Sequence, residues 1–103
     1  MLELAQETLR KLGLEAEVIG QAEQLGRARV DARLRIRYRG HEAKFLVQMR
    51  REVKRDTLDA IILALEPLGD EALLITQYVP PDVADTLKKR HIAYLDLAGN
   101  VYL

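Results

Sequence analysis

Arginine holds six of the seven odd-numbered positions from 27 to 39: Arg27, Arg29, Arg33, Arg35, Arg37 and Arg39, with Asp31 the one exception. A guanidinium is a planar fork that grips phosphate oxygens two at a time, so such a row points to polyanion contact and first of all to nucleic acid. Lys44, Arg50, Arg51, Lys54 and Arg55 follow within a short stretch. The candidate phosphate contacts are Arg29, Arg33, Arg35, Arg37, Lys44, Arg51 and Lys54. Asp31 is the only group in the row that can hold a cation, and it can equally neutralise a neighbouring arginine. The same row also suits a solvated strand face, and Asp31 with Arg50 suits a plain cross-strand ion pair.

The even positions from 28 to 38 read Ala28, Val30, Ala32, Leu34, Ile36 and Tyr38. Strict period-two alternation predicts a strand over 27–39 with one buried and one charged face. Gly40 and His41 supply a two-residue turn, and residues 42–50 return as a second strand with Phe45, Val47 and Met49 on the apolar side. That loop pairs residues whose numbers sum to 81, so Asp31 faces Arg50, Arg33 faces Gln48, Arg37 faces Lys44 and Arg39 faces Glu42. Ahead of the hairpin, Leu2, Ala5, Leu9 and Leu12 recur at helical spacing, with Gly13 placed to end the helix. Residues 14–20 then read as a short strand, and 21–26 as a connection or an extension of it.

Beyond the hairpin, Asp56 or Thr57 can cap a helix carrying Leu58, Ile61, Ile62 and Leu65, ended by Pro67 and Gly69. Residues 72–79 form a near-continuous apolar run, as expected of a buried parallel strand. Pro80, Pro81 and Asp82 open another helix with Val83, Ala84 and Leu87 on its apolar stripe. Residues 93–97 and 101–103 complete the set as strands on either side of a Gly99-Asn100 turn. Helices between strands imply parallel, right-handed crossovers after an antiparallel hairpin. The expected class is α/β, a mixed sheet with helices on both faces.

A chain of 103 residues, 49% hydrophobic and 31% charged, fits a single globular domain over 1–103. No apolar run approaches the roughly 18 residues of a membrane span. The start, MLELAQETLRKLG, lacks the basic-then-apolar pattern of a secretory signal, so a cytoplasmic location is expected. With no cysteine there is no disulfide framework and no thiolate metal site. The net charge of zero hides a split. Residues 27–56 carry 11 Lys/Arg against 4 Asp/Glu, an excess of +7, and the rest carry 5 against 12, which is −7. A basic side and an acidic side are expected. His41 and His91 read as surface residues, and the four tyrosines are too scattered to form a base-stacking platform. No phosphate-cradling glycine loop and no Ser/His/Asp set is present.

An aspartate on one strand, a hairpin, and LVQMRR on the next resemble the restriction-endonuclease-like, PD-(D/E)xK superfamily, whose Mrr-type members use a Gln-x-Lys variant. The order helix, three strands, helix, strand extends the resemblance over nearly the whole chain. It implies that Asp31 stands at the metal-binding aspartate, Gln48 at the second acidic ligand, and Arg50 at the lysine that activates water. Here one charged ligand and the lysine are replaced. Mg²⁺ prefers charged oxygen ligands, Gln48 offers only a neutral one, and Arg50 cannot act as a base with a pKa above about 12. The implied cofactor is therefore none, or Mg²⁺ on Asp31 if activity survives. Glu52, in a formal Glu-Val-Lys run, and Glu3 or Glu7 on the first helix are the carboxylates that could stand in. Glu42 is too far from Gln48, about 20 Å along a strand.

FLVQMRR and the C-terminal stretch LLITQYVPPDVADTLKKRHIAYLDLAGNVYL are also similar to the N-terminal region of bacterial transcriptional regulators of the type IV abortive-infection antitoxin kind. This implies a nuclease-like domain with an eroded active site, cut from a longer protein with a DNA-binding helical part. The implied partner is nucleic acid, DNA in first place, with a second copy of the chain as another candidate and no membrane. Asp96 and Asn100 in YLDLAGNVYL either carry function or simply end a strand and make a turn.

Overall fold

The computed structural model describes all residues from 1 to 103. Helix α1 (Leu2–Lys11) is followed by strands β1 (Glu15–Leu25), β2 (Ala28–Tyr38) and β3 (His41–Met49). Helix α2 (Leu58–Leu65) and a 3-10 segment (Glu66–Glu71) lead to β4 (Ala72–Thr76), and α3 (Pro81–Lys89) leads to β5 (Ala93–Asp96) and β6 (Val101–Tyr102). The six strands form one sheet in chain order, with β3–β4 and β4–β5 parallel and the other neighbours antiparallel. No helix is long and apolar enough to cross a membrane.

Two apolar cores lie on opposite sides of the sheet. α1 lays Ala5 and Leu9 on Ala32, Leu34, Ile36, Phe45, Val47, Leu73, Ile75 and Leu95. α2 and α3 lay Leu58, Ile61, Ile62, Leu65, Val83 and Leu87 on Leu74 and Tyr94. The alternation of β2 therefore puts Ala32, Leu34 and Ile36 under α1 and the arginines opposite them on the side of α2, whereas Ala28 and Val30 at the start of the strand join the α2 core. Gly13, at φ +83°, ends α1 and lets the Leu14 N–H return to the Leu9 carbonyl at 2.9 Å.

Two local features differ from the sequence expectation. The turn between β2 and β3 is Arg39-Gly40, both at positive φ (+48° and +81°), the primed geometry that matches strand twist. Paired residues consequently sum to 79, as in Arg35–Lys44, Arg37–Glu42 and Ala32–Val47. Asp31 is thus not paired with Arg50, nor Arg33 with Gln48, Arg37 with Lys44 or Arg39 with Glu42. The sum changes by two, so every side chain keeps its expected face. Strand β1 takes the longer of the two expected forms, and its bulge is the second difference. It runs through residues 21–25 to a hairpin at Gly26, with a bulge between Val18 and Gly20.

Candidate functional site

β2 and β3 pair from the turn to Ala32 opposite Val47, and their ladder ends there. Just beyond that point the side chains take over. The Met49 N–H donates to Asp31 Oδ2 at 2.8 Å, and Gln48 Nε2 donates to the Arg29 carbonyl. Backbone groups that lose their ladder partners are thereby satisfied. Arg50, leaving the end of β3, donates from Nη1 to the Met49 carbonyl at 2.9 Å and holds that nitrogen 3.8 Å from Asp31 Oδ2. Arg29 Nε stands 4.0 Å from Asp31 Oδ1.

Asp31, Gln48 and Arg50 therefore line one open cleft, with a volume of about 490 Å³. Arg27, Ala28 and Arg29 border it from the start of β2. The opposite wall is apolar: Leu63 and Ala64 from α2, then Pro67. Leu63 is 69% exposed, the most exposed large apolar side chain of the molecule. Three guanidinium groups against one carboxylate leave the cleft with an excess of two positive charges, concentrated beside a low-dielectric wall.

The donor set does not make a Mg²⁺ site. Asp31 Oδ2 already accepts from a backbone N–H, two guanidiniums flank the carboxylate, and Gln48 adds at most a neutral oxygen. No group of three His, Cys, Asp or Glu side chains is arranged to hold a metal. The stand-in carboxylates are elsewhere. Glu3 and Glu7 belong to α1, which packs on the other face of the sheet. Glu52 pairs with Lys54 at 3.3 Å and borders a separate hollow with Arg50, Thr57 and Ile61.

Arg33, Arg35 and Arg37 of the row are ion-paired, while Arg39 lies over the Tyr38 ring. Arg33 meets Glu23 at 2.9 Å, Arg35 meets Glu17 at 3.0 Å and Glu42 at 3.4 Å, and Arg37 meets Glu42 at 2.8 Å. The Nε atoms of Arg33 and Arg35 are buried with no acceptor in hydrogen-bond geometry: the outer nitrogens take Glu23 and Glu17, and Arg35 Nε stands 3.4 Å from Glu42 Oε1 without a hydrogen bond. The Glu42 carboxyl is held below its ordinary value, chiefly by its hydrogen bond to Arg37, and the same bond raises Arg37. Separate basic and acidic sides are thus not what forms here: glutamates of β1, from the acidic part of the sequence, lie among the arginines of β2. Gly20 makes one of these contacts fit, since a Cβ there would collide with the Glu23 carboxylate on its way to Arg33.

Asp96 has a structural place. It is fully buried, and it accepts from Val79 N and Asn100 Nδ2 through Oδ2 (both 2.9 Å) and from Ala98 N (3.0 Å) and Asn100 N (2.9 Å) through Oδ1. Four donors saturate the carboxylate and tie the β5–β6 turn to the segment after β4. Of the proposed phosphate contacts, the structure brings only Arg29 to the cleft, and it adds Arg27 and Arg50. Lys44 and Arg51 have no carboxylate within 4.0 Å and lie outside it. Leu63, Ala64 and Pro67 were not legible as site residues, because they sit in a helix whose pattern spoke only of core.

No protein-family model, curated protein or solved structure matches this chain.

Proposed function

We propose that this chain is a nucleic-acid-binding domain on a nuclease-like scaffold, whose Asp31–Gln48–Arg50 cleft contacts phosphate without hydrolysing it. The observation that carries this reading is the convergence of Arg27, Arg29 and Arg50 on one cleft with a single, already engaged carboxylate. Two features support the scaffold. The order α1, β1–β3, α2, β4 is that of the endonuclease-like fold, and the three motif positions fall in the same cleft. Hydrolysis of a phosphodiester needs a metal that polarises phosphate and lowers the pKa of water. This cleft has no donor set for one, and Arg50 can stabilise charge but not accept a proton. Binding without cleavage is the chemistry left, in keeping with a role in a bacterial regulatory or defence protein that contacts DNA.

Fluorescence anisotropy of a labelled duplex, titrated at several salt concentrations, tests the reading. The expected result is salt-sensitive binding that Arg29→Ala or Arg50→Ala weakens and Arg35→Ala, which loses a glutamate partner instead, weakens less. Absence of binding at the lowest salt would overturn it in favour of a protein-facing surface. Cleavage in Mg²⁺ or Mn²⁺ that Asp31→Ala abolishes would overturn the non-hydrolytic part.

A further inference from the structure

A track for duplex phosphates needs cations and little else, yet this cleft also has an apolar wall and an amide oxygen open to it. Gln48 is only 6% exposed. Its Nε2 donates to the Arg29 carbonyl, which can only accept, so the orientation of the amide is fixed. Oε1 is left with no donor from the protein at the edge of the cleft. An amide oxygen that is held in place by its own Nε2 bond and opens on the cleft can accept from a ligand N–H. Opposite stands Leu63, exposed beside Ala64 and Pro67. A volume of about 490 Å³ suits one small ligand rather than a chain of them.

We infer that the cleft takes a single nucleoside phosphate unit, with its heterocycle against Leu63, a ring N–H or amino group on Gln48 Oε1, and its phosphate on Arg29 and Arg50. This rests on the phosphate-binding reading of the same cleft. A base removed from its stack is held in this manner, by apolar contact with its faces and hydrogen bonds to its edge. The plane of Arg29 or Arg27 can cover the ring where the aliphatic wall ends. Asp31 does not close the arginines to phosphate. It stands 3.8 and 4.0 Å from one nitrogen of each, and a guanidinium has five N–H donors.

Calorimetric titration of the whole chain with AMP and with inorganic phosphate tests the inference, alongside anisotropy with a blunt duplex and a duplex bearing one unpaired 5′-phosphorylated nucleotide. AMP is expected to bind at least about tenfold tighter than phosphate, the worth of one good hydrogen bond plus apolar contact. Gln48→Met should remove most of that advantage, lowering AMP affinity more than phosphate affinity. Leu63→Ser, at a solvent-facing position that folding does not need, should do the same if Gln48→Met fails to fold. A preference for the unpaired end over the blunt duplex assigns the nucleotide to a strand end, whereas tight AMP binding without that preference assigns a free nucleotide. Equal binding of AMP and phosphate, or AMP affinity unmoved by Leu63→Ser, overturns the inference. If salt-sensitive duplex binding persists in that case, the phosphate-binding reading stands alone, and if nothing binds, both fall.

Discussion

Two aspartates of this chain show how partners decide what a carboxylate can do. Asp96 accepts four hydrogen bonds in full burial, so it is structure. Asp96→Ala strands three backbone N–H groups and the Asn100 amide, and should cost roughly 3 kcal/mol or more in urea unfolding. Asp31 accepts one backbone hydrogen bond and stands between two arginines at the cleft. Its charge opposes an incoming phosphate, so Asp31→Asn should tighten duplex binding about three- to tenfold at low salt. A metal-dependent site would respond in the opposite direction, and anisotropy at fixed salt reads the sign. Glu42 gives a pH signature. Its folded pKa is depressed by Arg37, so its contribution is present above the unfolded value near 4.5 and lost as pH falls through the folded one. Glu42→Gln should therefore be less stable than the parent at neutral pH. The gap between their urea midpoints should close as pH falls below about 4.5.

The β2–β3 hairpin shows what patterning carries and what it does not. Period-two alternation settles which residues face α1 and which carry the arginines within the β2–β3 ladder, because any register that keeps Leu34 and Phe45 buried preserves parity there; Ala28 and Val30, beyond the ladder, pack on the α2 side instead. The phase of the turn is a different matter. Gly40 serves as the first central residue of one primed turn or the second of another, and these two choices move Asp31 by two positions along its partner. The chain takes the second, which places Arg39 in the left-handed region at φ +48°. That strain costs about 1–2 kcal/mol, offset by the stacking of Arg39 on Tyr38 at 5.3 Å, worth about 0.5–1 kcal/mol at an exposed site. Arg39→Asn, which enters this conformation readily, should accordingly raise stability by up to about 1 kcal/mol in thermal or urea unfolding. A fall instead would mean that the stacking outweighs the strain. β1 was harder to read for a similar reason. Ala16 and Val18 alternate with Glu15 and Glu17, then the bulge at residue 19 breaks the phase, and the rest of the strand resembles a connection. The candidate trio could be placed relative to the hairpin from the sequence because Asp31 and Gln48 lie in β2 and β3 and Arg50 directly follows β3. The apolar wall could not be placed, because Leu63 differs from its buried neighbours in LDAIILAL only by the direction it faces.

At the scale of the whole molecule, charge is separated along the sequence and recombined by the sheet. Glu17 lies 18 residues from Arg35 in the chain and directly across the β1–β2 ladder from it in the fold. Antiparallel pairing thus sets the acidic N-terminal segment against the basic hairpin, an arrangement no local pattern announces. At the far end of the hairpin the cleft keeps an excess of positive charge, Arg27, Arg29 and Arg50 around the single Asp31, while Arg39 and Lys44 near the turn and Arg51 also have no carboxylate within 4.0 Å. This has a measurable consequence for any polyanion it meets. Counterion release gives a slope of log affinity against log salt of about −0.9 per neutralised phosphate on B-form DNA. Engagement of the three cleft arginines predicts about −2.7, whereas engagement of all seven contacts expected from the sequence would give about −6.3. Glu17→Gln frees Arg35 of its shorter ion pair and should steepen the slope by up to about one, while Arg29→Ala should flatten it by about as much. A parent slope already near −6, unmoved by Glu17→Gln, would mean that the glutamates of β1 yield to phosphate and that the whole strand face binds. The shallower slope, moved in both directions by these two substitutions, would place binding at the cleft end and give the interleaved glutamates a role in confining it there.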